Sequence, residues 1–162
     1  MGPWHSFQPI TVLIAEDSDL DYGLLEHALA ETKVNIQARR ATDGVTVLKY
    51  LRGEGAFADR LAHPFPHIIV VDLKMPSMSG FDVLEWIRDN PGYRVIPTVV
   101  LSTSAEASDV QRAYELGANT YFTKPSHLKD LRAMCVHLAA YWERAEIPPR
   151  RQPNGELHRR FA

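Results

Sequence analysis

A doubly wound parallel α/β sheet of five strands is the fold class this sequence predicts, and three observations predict it. Five short apolar runs alternate with five helical segments along the chain. The run Ile68-Ile69-Val70-Val71 is apolar at every position and wholly β-branched, the pattern of a central strand buried on both faces. All connections but one are short. Strands alternating with helices imply parallel pairing and right-handed crossovers.

Each element follows from local chemistry. Residues 1–9 read as a loose arm, and Ile10 to Ala15 is the first buried strand, ending in Glu16-Asp17. Ser18 and Asp21 have the spacing of a capping box, opening a helix to about Glu31 with Leu24, Leu25, Ala28 and Leu29 on its apolar side. Val34 to Arg40 is a shorter strand whose Asn35, Gln37, Arg39 and Arg40 suggest a sheet edge. Asp43-Gly44 opens a second helix through about Arg52. Gly53 to Pro66, with two glycines and two prolines, is the one long loop. After the Asp72 strand, Met75-Pro76 ends the ladder, because proline has no N–H to donate. Phe81, Leu84 and Ile87, widened by Val83 and Trp86, mark the third helix, which stops at Asn90-Pro91-Gly92. Ile96 to Leu101 is a fourth strand ending in Ser102-Thr103-Ser104, followed by a short helix to Leu116. Asn119 to Thr123 is the fifth strand, then Lys124-Pro125 and a last helix from about Ser126 to Trp142. Residues 143–162 hold three prolines, Asn154-Gly155 and five arginines and read mostly as a solvated extension. The domain expected is therefore 10–142.

Composition narrows the function classes. The 162 residues fit one domain, and 45% hydrophobic content supports a substantial core. A formal charge of −2 argues against non-specific nucleic-acid binding. One cysteine, Cys135, excludes an intramolecular disulfide and a Cys-rich zinc site, and suits a reducing, cytoplasmic location. No apolar run is long enough to span a bilayer, and Met1 to Pro9 lacks the pattern of a signal peptide.

Four strands end in polar residues that one site can use: Glu16 and Asp17, Asp72, Ser102 and Lys124. In an open α/β sheet, the carboxyl ends of the strands line one edge, where ligands bind. Crowded carboxylates favour a hard cation such as Mg2+. Asp72 can attack phosphorus and form an aspartyl phosphate. Lys124 can pair with phosphate, and Ser102 can donate to a phosphoryl oxygen. Singly, each has an ordinary structural reading: an acidic pair favoured by a helix dipole, a turn serine, a solvated lysine. Their placement at equivalent strand ends is what points to a site.

The set Glu16-Asp17, Asp72 with Met75-Pro76 and Gly80, Ser102, and Lys124-Pro125 resembles a response-regulator receiver domain of two-component signalling. The thirty residues from Asp72 to Ser102 and the fifty-two to Lys124 match that family's spacing. The resemblance covers about residues 10–142 and implies a flavodoxin-like (receiver) fold with strand order 2-1-3-4-5. It implies that Asp72 is the phosphoacceptor, taking phosphate from a sensor histidine kinase's phosphohistidine. Asp17, Asp72 and the Lys74 backbone carbonyl would ligate Mg2+ directly, with Glu16 acting at the metal through water. Lys124 and Ser102 would bind phosphate, with Ser102 and Tyr121 as the switch pair. The chain departs from the family at Glu16, where many members carry Asp, and at Thr103, where many carry Ala.

The expected output is protein–protein contact from a stand-alone receiver, with no direct DNA binding and no membrane association. The long loop, Leu101 to Ser104 and the extended last helix with Tyr141-Trp142 resemble phytochrome-associated regulators, which makes a bacteriophytochrome the candidate kinase. Leu128, Leu131, Cys135, Leu138 and Trp142 form one core-facing stripe. Met134, His137 and Tyr141 form a second, either a homodimer seam or simple amphipathic exposure. The expectation is a homodimer through the last helix and the extension. Rival chemistries fit less well. An aspartyl-nucleophile phosphatase would need an acid where Lys74 stands, and no strand is followed by G-x-G-x-x-G.

Overall fold

A computed structural model of the chain describes residues 9–146, 148, 150–151 and 157–158. The arm expected at 1–9, apart from Pro9, and most of the extension expected at 143–162 lie outside the described residues.

Five strands, β1 (Ile10–Ala15), β2 (Ile36–Ala41), β3 (Ile68–Val71), β4 (Thr98–Ser102) and β5 (Thr120–Thr123), alternate with five helices. The helices are α1 (Asp19–Ala30), α2 (Gly44–Arg52), α3 (Gly80–Asp89), α4 (Ala107–Glu115) and α5 (Leu128–Arg144). The strands form one sheet in the order β2-β1-β3-β4-β5, and every pairing is parallel. This is the receiver, flavodoxin-like architecture expected. β1, apolar but for Thr11, and β3, apolar throughout, are buried at every position, whereas β2 is half-buried except at Ala41 and forms an edge.

The pleat divides the core into two layers. Leu13, Ile69, Val71 and Val100 meet α2, α3 and α4 through Val47, Leu51, Val83, Leu84, Ile87 and Ala113. Val12, Ile14, Val70, Val99 and Leu101 meet α1 and α5 through Leu25, Ala28, Leu29, Cys135 and Trp142. The helices thus cover both faces of the sheet, which a strand apolar on both sides requires.

Local chemistry differs from the sequence expectation at a few points. Ser18 does cap α1, its Oγ accepting from the Asp21 amide at 3.2 Å, but the capping box is incomplete. The Ser18 amide donates to Glu16 Oε1 at 3.0 Å instead, leaving the Asp21 carboxylate for another partner. The full capping box lies at α3, between Ser79 and Asp82. Leu24 is exposed, so α1 packs through Leu25, Ala28 and Leu29, with Tyr22 half-buried against the same layer. On α5 Cys135 and Trp142 are buried with Leu131 and Leu138 packed beside them, as expected, whereas Leu128 lies exposed at the first turn. The long loop is ordered by Arg60, which donates to the carbonyls of Tyr50, Leu51 and His63 and so closes the end of α2. Gly53 ends α2 in the left-handed region at φ 68°, as a helix-terminal glycine can. Beyond α5, β6 (Arg150–Arg151) and β7 (Leu157–His158) pair antiparallel, where the sequence suggested only a solvated segment. Asn154-Gly155 between them was the available signal, since that dipeptide favours hairpins.

Candidate functional site

The strand order reverses between β1 and β3, so their following helices depart on opposite faces. The crevice left at such a switch point is the place where α/β sheets hold ligands. Glu16 follows β1 directly and Asp72 follows β3 directly. The register brings these strand ends level: Ala15 pairs with Val71, and the Asp72 amide donates to the Ala15 carbonyl at 3.0 Å. One ligand oxygen from each of Glu16, Asp17 and Asp72 lies within 4.8 Å of the others. Glu16 and Asp72 are buried, whereas Asp17 is exposed.

Lys124 closes the pocket from β5. Its amide donates to the Ser102 carbonyl at 2.7 Å, which fixes its backbone against the end of β4. Its Nζ donates to Glu16 Oε2 at 2.7 Å, Asp72 Oδ2 at 2.8 Å and Asp21 Oδ2 at 2.8 Å. Burial alone would lower the lysine's pKa, but its hydrogen bonds to three carboxylates outweigh it and hold the ammonium above its ordinary range. Burial raises the pKa of Glu16, despite its bonds to Lys124 and the Ser18 amide. The remaining oxygen of Asp72, Oδ1, accepts from the Lys74 amide at 3.2 Å.

The loop after β3 is built around close backbone contact. A Cβ at Gly80 would collide with the Asp72 carbonyl and the Leu73 backbone, so only glycine lets α3 start there. The Gly80 amide donates to the Leu73 carbonyl at 3.0 Å. Ser77 adopts φ 64°, and the Met78 amide turns back to the Pro76 carbonyl at 2.7 Å, a tight three-residue turn.

Ser102 is wholly buried, and its Oγ accepts from the Ser104 amide at 3.3 Å. Tyr121 Oη donates to the Ser104 carbonyl at 2.8 Å. Ser104 Oγ donates to Asp109 Oδ2 at 2.6 Å and accepts from the Glu106 amide at 3.3 Å. Ser102 and Tyr121 therefore meet at one residue of the β4–α4 loop.

The sequence reading missed three of these participants. Asp21 was legible only as part of the α1 cap, and nothing local says that its carboxylate reaches Lys124. Arg40, which donates to the Glu16 and Asp17 carbonyls, and Ser104 were not legible as site neighbours, because nothing local says which of two adjacent arginines, or which loop serine, faces inward.

The donor set suits a hard divalent cation. Three carboxylate oxygens within 4.8 Å need little adjustment to the roughly 3–4 Å ligand spacing of an octahedral Mg2+ ion. A profile of the response regulator receiver domain matches residues 12–136. The chain belongs to that family. Receiver domains are signalling proteins of two-component systems rather than enzymes of the usual kind. The chain is 34% identical over 134 residues to response regulator Rcp1 of Synechocystis sp., spanning 83% of this chain and 89% of that protein. It is similar in structure to the phosphorylated cyanobacterial phytochrome response regulator RcpA, with a TM-score of 0.80 and 32% identity over 87% of this chain and 99% of that one. The Mn2+-bound form of Rcp1 is likewise similar, with a TM-score of 0.78 and 34% identity over 86% and 99% of the two chains. This receiver therefore resembles phytochrome-associated regulators. Among the described residues, no helix is long and apolar enough to cross a membrane.

Proposed function

We propose that this receiver accepts a phosphoryl group on Asp72 from a histidine kinase and relays it as a change in a protein-binding face. The observation that carries the reading is the Asp72 carboxylate, buried at the switch point between the Glu16–Asp17 pair and the Lys124 ammonium. Asp17, Asp72 and the Lys74 carbonyl would hold Mg2+, with Glu16 beside them. The ion would supply positive charge to offset that of the incoming phosphoryl oxygens.

In the transfer, an Asp72 carboxylate oxygen attacks phosphorus. The new O–P bond forms as the P–N bond of the kinase phosphohistidine breaks, and the imidazole nitrogen keeps the electron pair and takes up a proton. Lys124 already contacts Asp72 Oδ2, so a small movement lets it pair with a phosphoryl oxygen. Ser102 turns its hydroxyl to the same group, giving up the Ser104 amide. Because Tyr121 also binds Ser104, the change at Ser102 reaches the α4–β5–α5 face.

Likeness to Rcp1 and RcpA supports a phytochrome-type sensor as the kinase. A second copy of the chain is the proposed partner at α5, where Val136 and Tyr141 are exposed apolar residues. Met134 differs from the expected seam in being half-buried against the core.

The direct test is incubation with Mg2+ and acetyl phosphate, followed by intact mass measurement. One added phosphoryl group is expected, absent without Mg2+ and absent in Asp72→Asn. Equal uptake by both proteins would show that Asp72 is not the acceptor.

A further inference from the structure

Among the described residues, nothing binds the side-chain carboxylate of Asp17. Glu16 and Asp72 are each held by at least two hydrogen bonds to their carboxylates, but Asp17 is exposed and must be placed through its backbone. The structure assigns that task to Arg40. This side chain comes from the carboxyl end of the edge strand β2, level with Ile14 in β1. Its Nε donates to the Glu16 carbonyl at 3.0 Å and its Nη2 to the Asp17 carbonyl at 3.0 Å. Its Nη1 pairs with Asp19 Oδ1 at 2.7 Å, and the guanidinium lies over the Tyr22 ring, 4.9 Å from its centre.

We infer that Arg40 is a positioning residue that presents the Asp17 carboxylate to Mg2+. A planar guanidinium suits this work, because its fixed fork reaches two successive carbonyls and a carboxylate at once. A lysine ammonium at the same place could not span all three. Asp19 offsets the charge of the guanidinium, so Arg40 can stand behind an acidic pocket without opposing a cation there. The ring of Tyr22 restrains the plane of the fork from its open side. Arg40 bonds to none of the Glu16, Asp17 and Asp72 carboxylates and acts only through the loop it holds.

This inference rests on the reading of Glu16, Asp17 and Asp72 as an Mg2+ pocket, and the test separates the two. Mg2+ alone is titrated calorimetrically into the wild-type chain, Arg40→Met, Arg40→Lys and Asp17→Asn, at a temperature where circular dichroism shows each folded. Wild type is expected to bind, and Asp17→Asn to lose binding. Arg40→Met is expected to weaken binding about tenfold, the usual effect of removing a group that orients a ligand. Arg40→Lys should fall between Arg40→Met and wild type. At saturating Mg2+, the rate of uptake from acetyl phosphate by Arg40→Met should return to within about twofold of wild type. That split is what positioning predicts and a general loss of stability does not. Wild-type affinity in Arg40→Met, with binding lost in Asp17→Asn, would overturn the role of Arg40 alone. A rate defect that persists at saturating Mg2+ would overturn it too. Absence of Mg2+ binding by the wild-type chain would overturn the metal reading itself. Should Arg40→Met fail to fold, Arg40→Lys carries the same comparison, and wild-type affinity in that variant would overturn the inference.

Discussion

Lys124 is surrounded by more negative charge than it can neutralise: its one ammonium meets the carboxylates of Glu16, Asp21 and Asp72. Removing it leaves three crowded acids without a counter-ion, and breaking a buried pair in this way is strongly destabilising. Lys124→Met is expected to lower stability by roughly 3 kcal/mol in the absence of Mg2+, read by urea denaturation. Added Mg2+ should then stabilise the variant more than it stabilises wild type, because Nζ no longer competes for Glu16 and Asp72. Equal stability with and without Lys124 would show that the network contributes little. Cys135 offers a second test at this scale. Burial pushes its thiol up to about 11. The folded chain therefore holds the proton more tightly than the unfolded chain, whose thiol titrates near its ordinary value of 9.0. The stability this confers is whole below about pH 9 and is lost as pH rises through about 11. Wild type should lose thermal stability across that window more steeply than Cys135→Ala. Tyr22, held at about 12 first by burial, adds to the alkaline loss in both proteins and drops out of the difference.

The β3–α3 connection shows how one element can set the geometry of a site. The helix α3 must start close to Asp72, and its first residue is a glycine because any side chain would meet the Asp72 carbonyl. Ser79 and Asp82 then fix the first turn reciprocally, and the Ser79 hydroxyl bond is foremost in holding the Asp82 carboxyl below its ordinary range. The left-handed Ser77 stores modest strain in the same loop. Gly80→Ala is expected to cost about 1–3 kcal/mol by overpacking. It should also move the amide resonances of Asp72 and Leu73 more than those of β1. An alanine variant as stable as wild type, with unmoved resonances, would show that α3 can shift without disturbing the site.

At the scale of the molecule, the sheet separates two layers and leaves α5 carrying exposed Val136 and Tyr141. A homodimer across this face would bury both residues. Sedimentation at tens of micromolar should show a dimer, weakened tenfold or more in Tyr141→Arg, the equivalent of about 1.4 kcal/mol. A monomer at high micromolar concentration, with and without acetyl phosphate, would remove α5 as a self-association surface. The same face follows Tyr121 on β5, so any coupling to Asp72 would appear as a change in dimer affinity on phosphorylation.

Much of this was readable before any coordinates. The continuous β-branched run at 68–71 dictates a strand covered on both faces, because such a strand has no side fit for water. The alternation of five strands and five helices then dictates a parallel sheet, and strand-end acids and lysine follow to one edge. Those signals are local, carried by side-chain period and turn chemistry. Only the tertiary structure decided which acids share Lys124, that the Asp21 carboxylate joins them while its amide stays in the cap, and that Arg40 rather than Arg39 reaches behind the acidic loop. The pairing at 150–151 with 157–158 was likewise decided in three dimensions, despite its Asn-Gly signal. Partners distant in sequence meet through register and packing, and register is a property of the whole sheet, not of any one strand.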